Sequence, residues 1–215
     1  MSSRKSHISV SENPLGRLYR KSVFQTDWIN RERFKKPHMA IFGVGDENAL
    51  DYVAIRDGGI TIYRNLEYLE EDVQWLQDRN YRIHKVHCAN WVSENGMHES
   101  LQTALSFPDY YGKNFDALDE VISDLEVPDD GGVALVLTSY GLYANCQGAL
   151  PAGSGMKQSE IVLDILSRAS HTFLLTGKRF LTLIQSDNPR MHYEKLGGHA
   201  PMWNWREWLH KNRGL

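Results

Sequence analysis

The twenty residues Phe107–Glu126, FPDYYGKNFDALDEVISDLE, crowd acids onto one short segment and introduce it with Tyr-Tyr-Gly. At about 100° per residue, Phe115, Leu118, Val121, Ile122 and Leu125 fall on one side of a helix, a stripe wide enough to dock on a sheet. Asp116 and Glu120 stand together on the opposite side, and Asp119 and Ser123 lie towards its edges. Like charges four residues apart weaken an isolated helix by roughly 0.2–0.5 kcal/mol. Asp116 recovers some of this from the helix dipole because it sits in the first turn. Asn114 is placed to cap the helix, and Gly112 before it suggests a backbone turn that other residues resist. Helix physics alone leaves two readings open, an ordinary solvated face and a surface offered to a basic partner.

Charge along the chain sharpens the second reading. The 215 residues carry 24 bases and 27 acids, a net charge of −3. Eight of the acids lie between Asp109 and Asp130 with Lys113 as their only base, so this segment carries −7 and the remainder, 23 bases against 19 acids, carries +4. A local charge of this kind shapes partner choice and encounter rates rather than the fold. The first 36 residues lean the other way, with nine bases and three acids, but their loose spacing predicts a solvated, partly ordered tail more than a nucleic-acid arm.

The periodicities on either side predict strands alternating with helices. Two short runs around Asp57-Gly58-Gly59 suit a hairpin. Leu66, Leu69, Val73 and Leu76 have helical spacing, with Asn80 as a stop. There follow a strand in YRIHKVHCA, a helix in SENGMHESLQTAL, the acidic helix, a buried strand in GGVALVLTSY, a helix in KQSEIVLDILSRAS and a strand in KRFLTLIQS. Strands separated by helices imply crossover connections and a mainly parallel sheet. The Gly- and Pro-bearing run GLYANCQGALPAGSGMK reads as a surface loop. At the end, MWNWREWLHKN places Asn204 as a cap, Glu207 three residues later, and Trp205, Trp208 and Leu209 on one helical face that would close the core. An exposed binding patch is the alternative there.

The string Pro108, Tyr110-Tyr111-Gly112, Asn114, Asp116-Ala117-Leu118, continuing to an acid at Glu120, resembles the signature of the barstar family of intracellular ribonuclease inhibitors. The likeness is dense over about twenty residues and extends more loosely from Tyr81 to about Ser186. It implies an α/β fold, a small mainly parallel sheet flanked by helices, to which this chain adds an N-terminal α/β extension and a C-terminal helix. The organisation expected is a basic segment over 1–36, the extension over 37–80, a barstar-like domain over 81–188 and a Trp-rich helix over 189–215 docked on it. The resemblance further implies a second helix and preceding loop that plug the active site of a ribonuclease. Carried over by position, Tyr110, Gly112, Asn114, Asp116 and Glu120 fall on inhibitor contacts. Asp119 stands where the best-known inhibitor has a Trp, Leu125 stands at another Trp position, and the late-helix acid has no match, with Ser167 and Arg168 nearest. The expected partner face is therefore Tyr110, Gly112, Asn114, Asp116, Asp119, Glu120 and Ser123, meeting a basic ribonuclease or nuclease toxin whose phosphate-binding groups would face carboxylates.

Other sites are weaker in the sequence. FGVGDENAL begins like a dinucleotide loop but lacks the third glycine, and the 148–159 run lacks the Gly-Lys-Ser/Thr ending of a phosphate loop. His84, His87 and Cys88 do not share one strand face as metal ligands would. Two isolated cysteines suggest structural thiols. No apolar run approaches the ~20 residues of a membrane span, and the first residues have no signal-type apolar core, so a cytoplasmic protein without membrane contact is expected. No catalytic residue, metal or cofactor is expected, and nucleic acid is not the expected partner. The second hypothesis is an enzyme or nucleic-acid-binding protein that reuses the fold.

Overall fold

The computed structural model describes residues 42–43, 45–146 and 156–215. The basic segment over 1–36 therefore lies outside the described residues. Among the described residues six helices and five strands follow one another: α1 Leu50–Arg56, β1 Ile60–Tyr63, α2 Leu66–Gln77, β2 Tyr81–His87, α3 Glu94–Leu105, α4 Phe115–Ser123, β3 Gly132–Thr138, α5 Tyr140–Asn145, α6 Gln158–Leu175, β4 Phe180–Gln185 and β5 Met202–Trp203. All pairings are parallel, in the order β2-β3-β4-β1-β5, with Tyr81 opposite Gly132 and His87 opposite Thr138. The sheet thus takes strands from either side of 81–188 as well as from within it.

Helices cover both faces. Val133, Leu135 and Leu137 of β3 face the core under α3, α4 and α6, and Ala134 and Val136 face Leu69, Val73 and Leu76 of α2. This two-sided burial explains why the central strand reads as an unbroken apolar run rather than an alternating one. The stripe of α4 is oriented as its spacing predicts: Leu118 and Ile122 are wholly buried, with Phe115, Val121 and Leu125 packed beside them.

Three local expectations are corrected. The run before Gly58 is a helix, not the first arm of a hairpin. Asp51, Ala54 and Ile55 recur at helical spacing, and the buried Asp51 accepts hydrogen bonds from the Tyr81 hydroxyl at 2.7 Å and Arg179 Nη1 at 3.3 Å. Gly58 and Gly59, at φ +98° and +78°, end this helix, and a Cβ on Gly59 would lie 2.2 Å from Ser170 Oγ of α6. The loop expected over 141–157 begins instead as α5, anchored by the buried Tyr140 and Tyr143; residues 147–155 lie outside the described residues.

The C-terminal helix is replaced by β5 and two 3-10 turns, Trp205–Glu207 and His210–Arg213. Glu207 accepts the backbone N–H groups of Arg64 and Asn65, both at 3.0 Å. Arg213 Nη1 donates to the carbonyls of Glu207 and Trp208. The Arg213 guanidinium thus takes carbonyls that a continuing helix would have used. Trp205, Trp208 and Leu209 are 76%, 55% and 49% exposed and do not close the core.

Candidate functional site

Between α3 and α4 the chain makes a loop whose two tyrosines part company. Ser106 ends α3 in the left-handed region at φ +55°, and the Tyr111 N–H donates to the Pro108 carbonyl at 3.0 Å. Tyr111 turns inward, with its ring 5.1 Å from Phe107. Tyr110 turns outward and is 86% exposed. Asn114 caps α4, its Oδ1 accepting the Ala117 N–H at 2.8 Å. Sequence reasoning put the unusual backbone at Gly112, but the positive φ, +48°, belongs to Lys113. At Gly112 a Cβ would come within 3.3 Å of Ala117 Cβ and Asn114 Nδ2, a tight fit against the first turn of α4.

His98 of α3 lies under the loop and is fully buried. Its Nδ1 is hydrogen-bonded to the Tyr111 hydroxyl at 2.5 Å, and its ring packs on both Tyr111 and Phe115, the residues flanking the turn. Burial, with the charge of Lys113 adding to it, pushes the imidazole pKa down to about 4. The Glu94 carboxylate is 3.8 Å from Nε2, beyond hydrogen-bond distance, and does not offset this. Burial, with Glu94 nearby, likewise raises the Tyr111 phenol, so a neutral histidine and a neutral phenol brace the loop.

The predicted residues divide into free and committed groups. Asp116 and Glu120 are exposed and have no hydrogen bond or ion pair among the described residues. Asp119 accepts from Arg168 Nη1 at 3.1 Å, and Arg168 Nε also reaches Asp164, so this acid is tied to α6. Ser123 Oγ donates to the Asp119 carbonyl. Ser167, the other residue near the missing late-helix acid, is buried and donates to the Gly58 carbonyl.

Tyr110, Gly112, Glu120 and Asp124 line one side of a groove of about 680 Å³, and Arg82 and His84 of the edge strand β2 line the other. Arg82 and His84 were not anticipated as part of this face; period-two alternation of β2 assigns each a side but not the neighbouring helix. His84 Nδ1 is held by the Ala104 carbonyl at 2.6 Å, while its buried Nε2 has no partner. Nothing here resembles an assembled nucleophile and base. Among the described residues no group of three His, Cys, Asp or Glu side chains converges to hold a metal. Cys88 and Cys146 are free thiols. The N–H groups of Gly43 and Gly45 in FGVGDENAL are taken by the carboxylates of Asp46 and Glu47.

The parallel sheet, the capped acidic helix and the Tyr-Tyr-Gly loop agree with the match of residues 81–185 to the family model Barstar (barnase inhibitor). The match covers 105 of the 215 residues, just under half of the chain. The matched range includes the 107–114 loop, α4 and α6. No curated protein matches the chain. A chain in the structure of Drosophila ORC bound to AT-rich DNA and Cdc6 is 13% identical, with 63% of this chain and 43% of that one covered at a TM-score of 0.39. The present chain therefore spans less than half of that chain's length, and the likeness is too weak to carry fold or function. No described helix is long and apolar enough to cross a membrane.

Proposed function

We propose that this chain is an intracellular inhibitor that binds a ribonuclease and covers its active site with the 107–114 loop and α4. The reading is carried by one observation: Asp116 and Glu120 stand free and exposed on a helix whose opposite side, Leu118 and Ile122, is wholly buried. The carboxylates are thus fixed in place before any partner arrives, and ordering them costs little on binding. A ribonuclease gathers cationic donors around a phosphate, and rigid carboxylates can occupy the same field. Tyr110 supplies an exposed aromatic beside them, the kind of side chain that anchors interfaces. Asn114 and Gly112 shape the turn, and Asp119 and Ser123 form the rim. The chain binds and does no chemistry in this reading. Arg168 in place of an acid reduces the negative charge near Asp119 and suits a target with a less basic rim.

The test is inhibition of purified barnase-type ribonucleases by the full chain. A one-to-one complex should form whose inhibition is competitive with a mononucleotide in the active site. A complex that leaves the nucleotide site open, or no complex with any nuclease of this type, would sink the reading.

A further inference from the structure

The turn 196–199 is clamped onto α6. Leu196 and His199 exchange backbone hydrogen bonds at 2.7 and 2.9 Å, Ser167 Oγ reaches the Leu196 carbonyl at 3.2 Å, and Asp164 Oδ1 accepts the Gly197 N–H at 2.8 Å. Gly197, at φ +56°, lets the turn come this close, since a Cβ there would lie 2.4 Å from Ser167 Oγ. The clamp sets His199 beside His171 of α6. Their ring centres are 4.7 Å apart and the ring planes are inclined at 67°. His171 is half-buried and His199 is exposed. Neither imidazole has a hydrogen bond or ion pair among the described residues, so the lone pairs of both rings are uncommitted. Two free imidazoles held side by side on rigid supports are the raw material of a metal site.

We propose that His171 and His199 together bind one divalent transition-metal ion of the imidazole-seeking class, nickel or copper in preference to zinc. The spacing of the rings carries the assignment. An ion about 2.1 Å from a ring nitrogen lies about 3.2 Å from the ring centre. Two such rings with centres 4.7 Å apart subtend about 95° at the ion, close to the right angle of square-planar and octahedral sites; a tetrahedral ion would need about 5.2 Å. The inclined planes are not stacked face to face, so nitrogens on neighbouring edges can converge on one point. Burial, with the charge of His199 adding to it, lowers the His171 pKa, which keeps that imidazole neutral and able to ligate near pH 7. Two protein ligands leave the remaining positions to water. Magnesium and calcium, which take oxygen ligands, are poorly served by such a pair. The bound ion joins the 196–199 turn to α6, and the unfolded chain holds no such pair together, so binding stabilises the fold.

The experiment titrates the full chain, free of any histidine tag, with nickel, zinc and magnesium chlorides in a buffer that does not chelate, reading binding by calorimetry and Tm by thermal unfolding. Saturable nickel binding, at least as tight as that of zinc, and a raised Tm are expected for the wild type. The same is expected for His210→Gln, a control on an exposed turn. Magnesium should do neither. His171→Gln and His199→Gln should each weaken nickel binding at least about tenfold, since even an outer-shell partner is worth ~10–100-fold, and should abolish the rise in Tm. Both variants should keep the wild-type Tm without metal, because neither ring is fully buried. Wild-type titrations in both variants, or equal responses to nickel and magnesium, would overturn the proposal and place any metal binding on other histidines. Zinc binding tighter than nickel would overturn the assigned geometry.

Discussion

The 107–123 loop and helix and the 202–215 segment both carry aromatic side chains into solvent, Tyr110 at 86% exposure and Trp205 at 76%, yet they are built in opposite ways. The first is held by near neighbours in sequence: Asn114 caps Ala117, Tyr111 folds onto Phe107, and His98 braces both ends of the turn. The second is held by partners far along the chain, Arg206 by Glu71 and Asp72, and Glu207 by the N–H groups of Arg64 and Asn65. Its Arg206, Glu207 and Arg213 are all committed to internal partners, whereas Asp116 and Glu120 remain free. Exposure alone therefore does not distinguish the two regions; unpaired charge on a rigid support does.

The largest expected effect separates the two regions by function. Asp116→Ala with Glu120→Ala should lower affinity for the cognate nuclease about a thousandfold or more with an unchanged Tm. Losing one partner of a buried interfacial charge pair costs ~2–5 kcal/mol, a range to which the barnase–barstar pair itself contributes. Trp205→Ala with Trp208→Ala should leave inhibition unchanged. If inhibition falls in the tryptophan pair and survives in the acid pair, the two regions exchange roles.

Next come the supports. Leu118→Ala should cost roughly 2–5 kcal/mol in denaturant unfolding, because a wholly buried leucine leaves a cavity under α4. Glu207→Ala should cost less, about 1–3 kcal/mol, since it orphans two backbone donors without opening the main core. A Leu118→Ala shift no larger than that of a surface mutant would mean that α4 is not docked through this stripe.

Acid should act on the first region through His98. Its folded pKa, about 4, lies below the ordinary value of 6.5, so the unfolded chain takes up the proton first. The stability due to this group is complete above pH 6.5 and is lost as pH falls towards 4, by at most about 3 kcal/mol. Unfolding at pH 7, 5.5 and 4.5 measures the slope, which His98→Gln should flatten. An undiminished slope in that variant would assign the acid sensitivity elsewhere.

The smallest effects are kinetic. Association with a basic nuclease should slow as salt rises, since charges are screened over ~10 Å at 0.1 M. Asp124→Asn and Asp119→Asn should each slow association only a few-fold at low salt, because the far field counts net charge. Dissociation should be unaffected by Asp119→Asn, whose carboxylate is already tied to Arg168. Stopped-flow rates across a salt series check this; salt-independent association would reduce the acidic cluster to a solvated face.

The sequence by itself determined the order of strands and helices over 81–185 apart from α5, the orientation of α4 and the identity of its exposed acids. Those features rest on short-range physics: period, capping and an apolar stripe that leaves its opposite side in water. Only the tertiary structure decided that Asp119 pairs with Arg168 and that Arg82 and His84 face the acidic helix across a groove. It also decided that the Gly58-Gly59 pair ends a helix and that the last residues do not form one. Each of these outcomes turns on a partner many residues away: Asp51 with Tyr81 and Arg179, Gly59 against Ser170, Glu207 with Arg64 and Asn65. Local periodicity carries no record of such partners, because a carboxylate that caps a distant backbone and one that faces water obey the same pattern until the chain has folded.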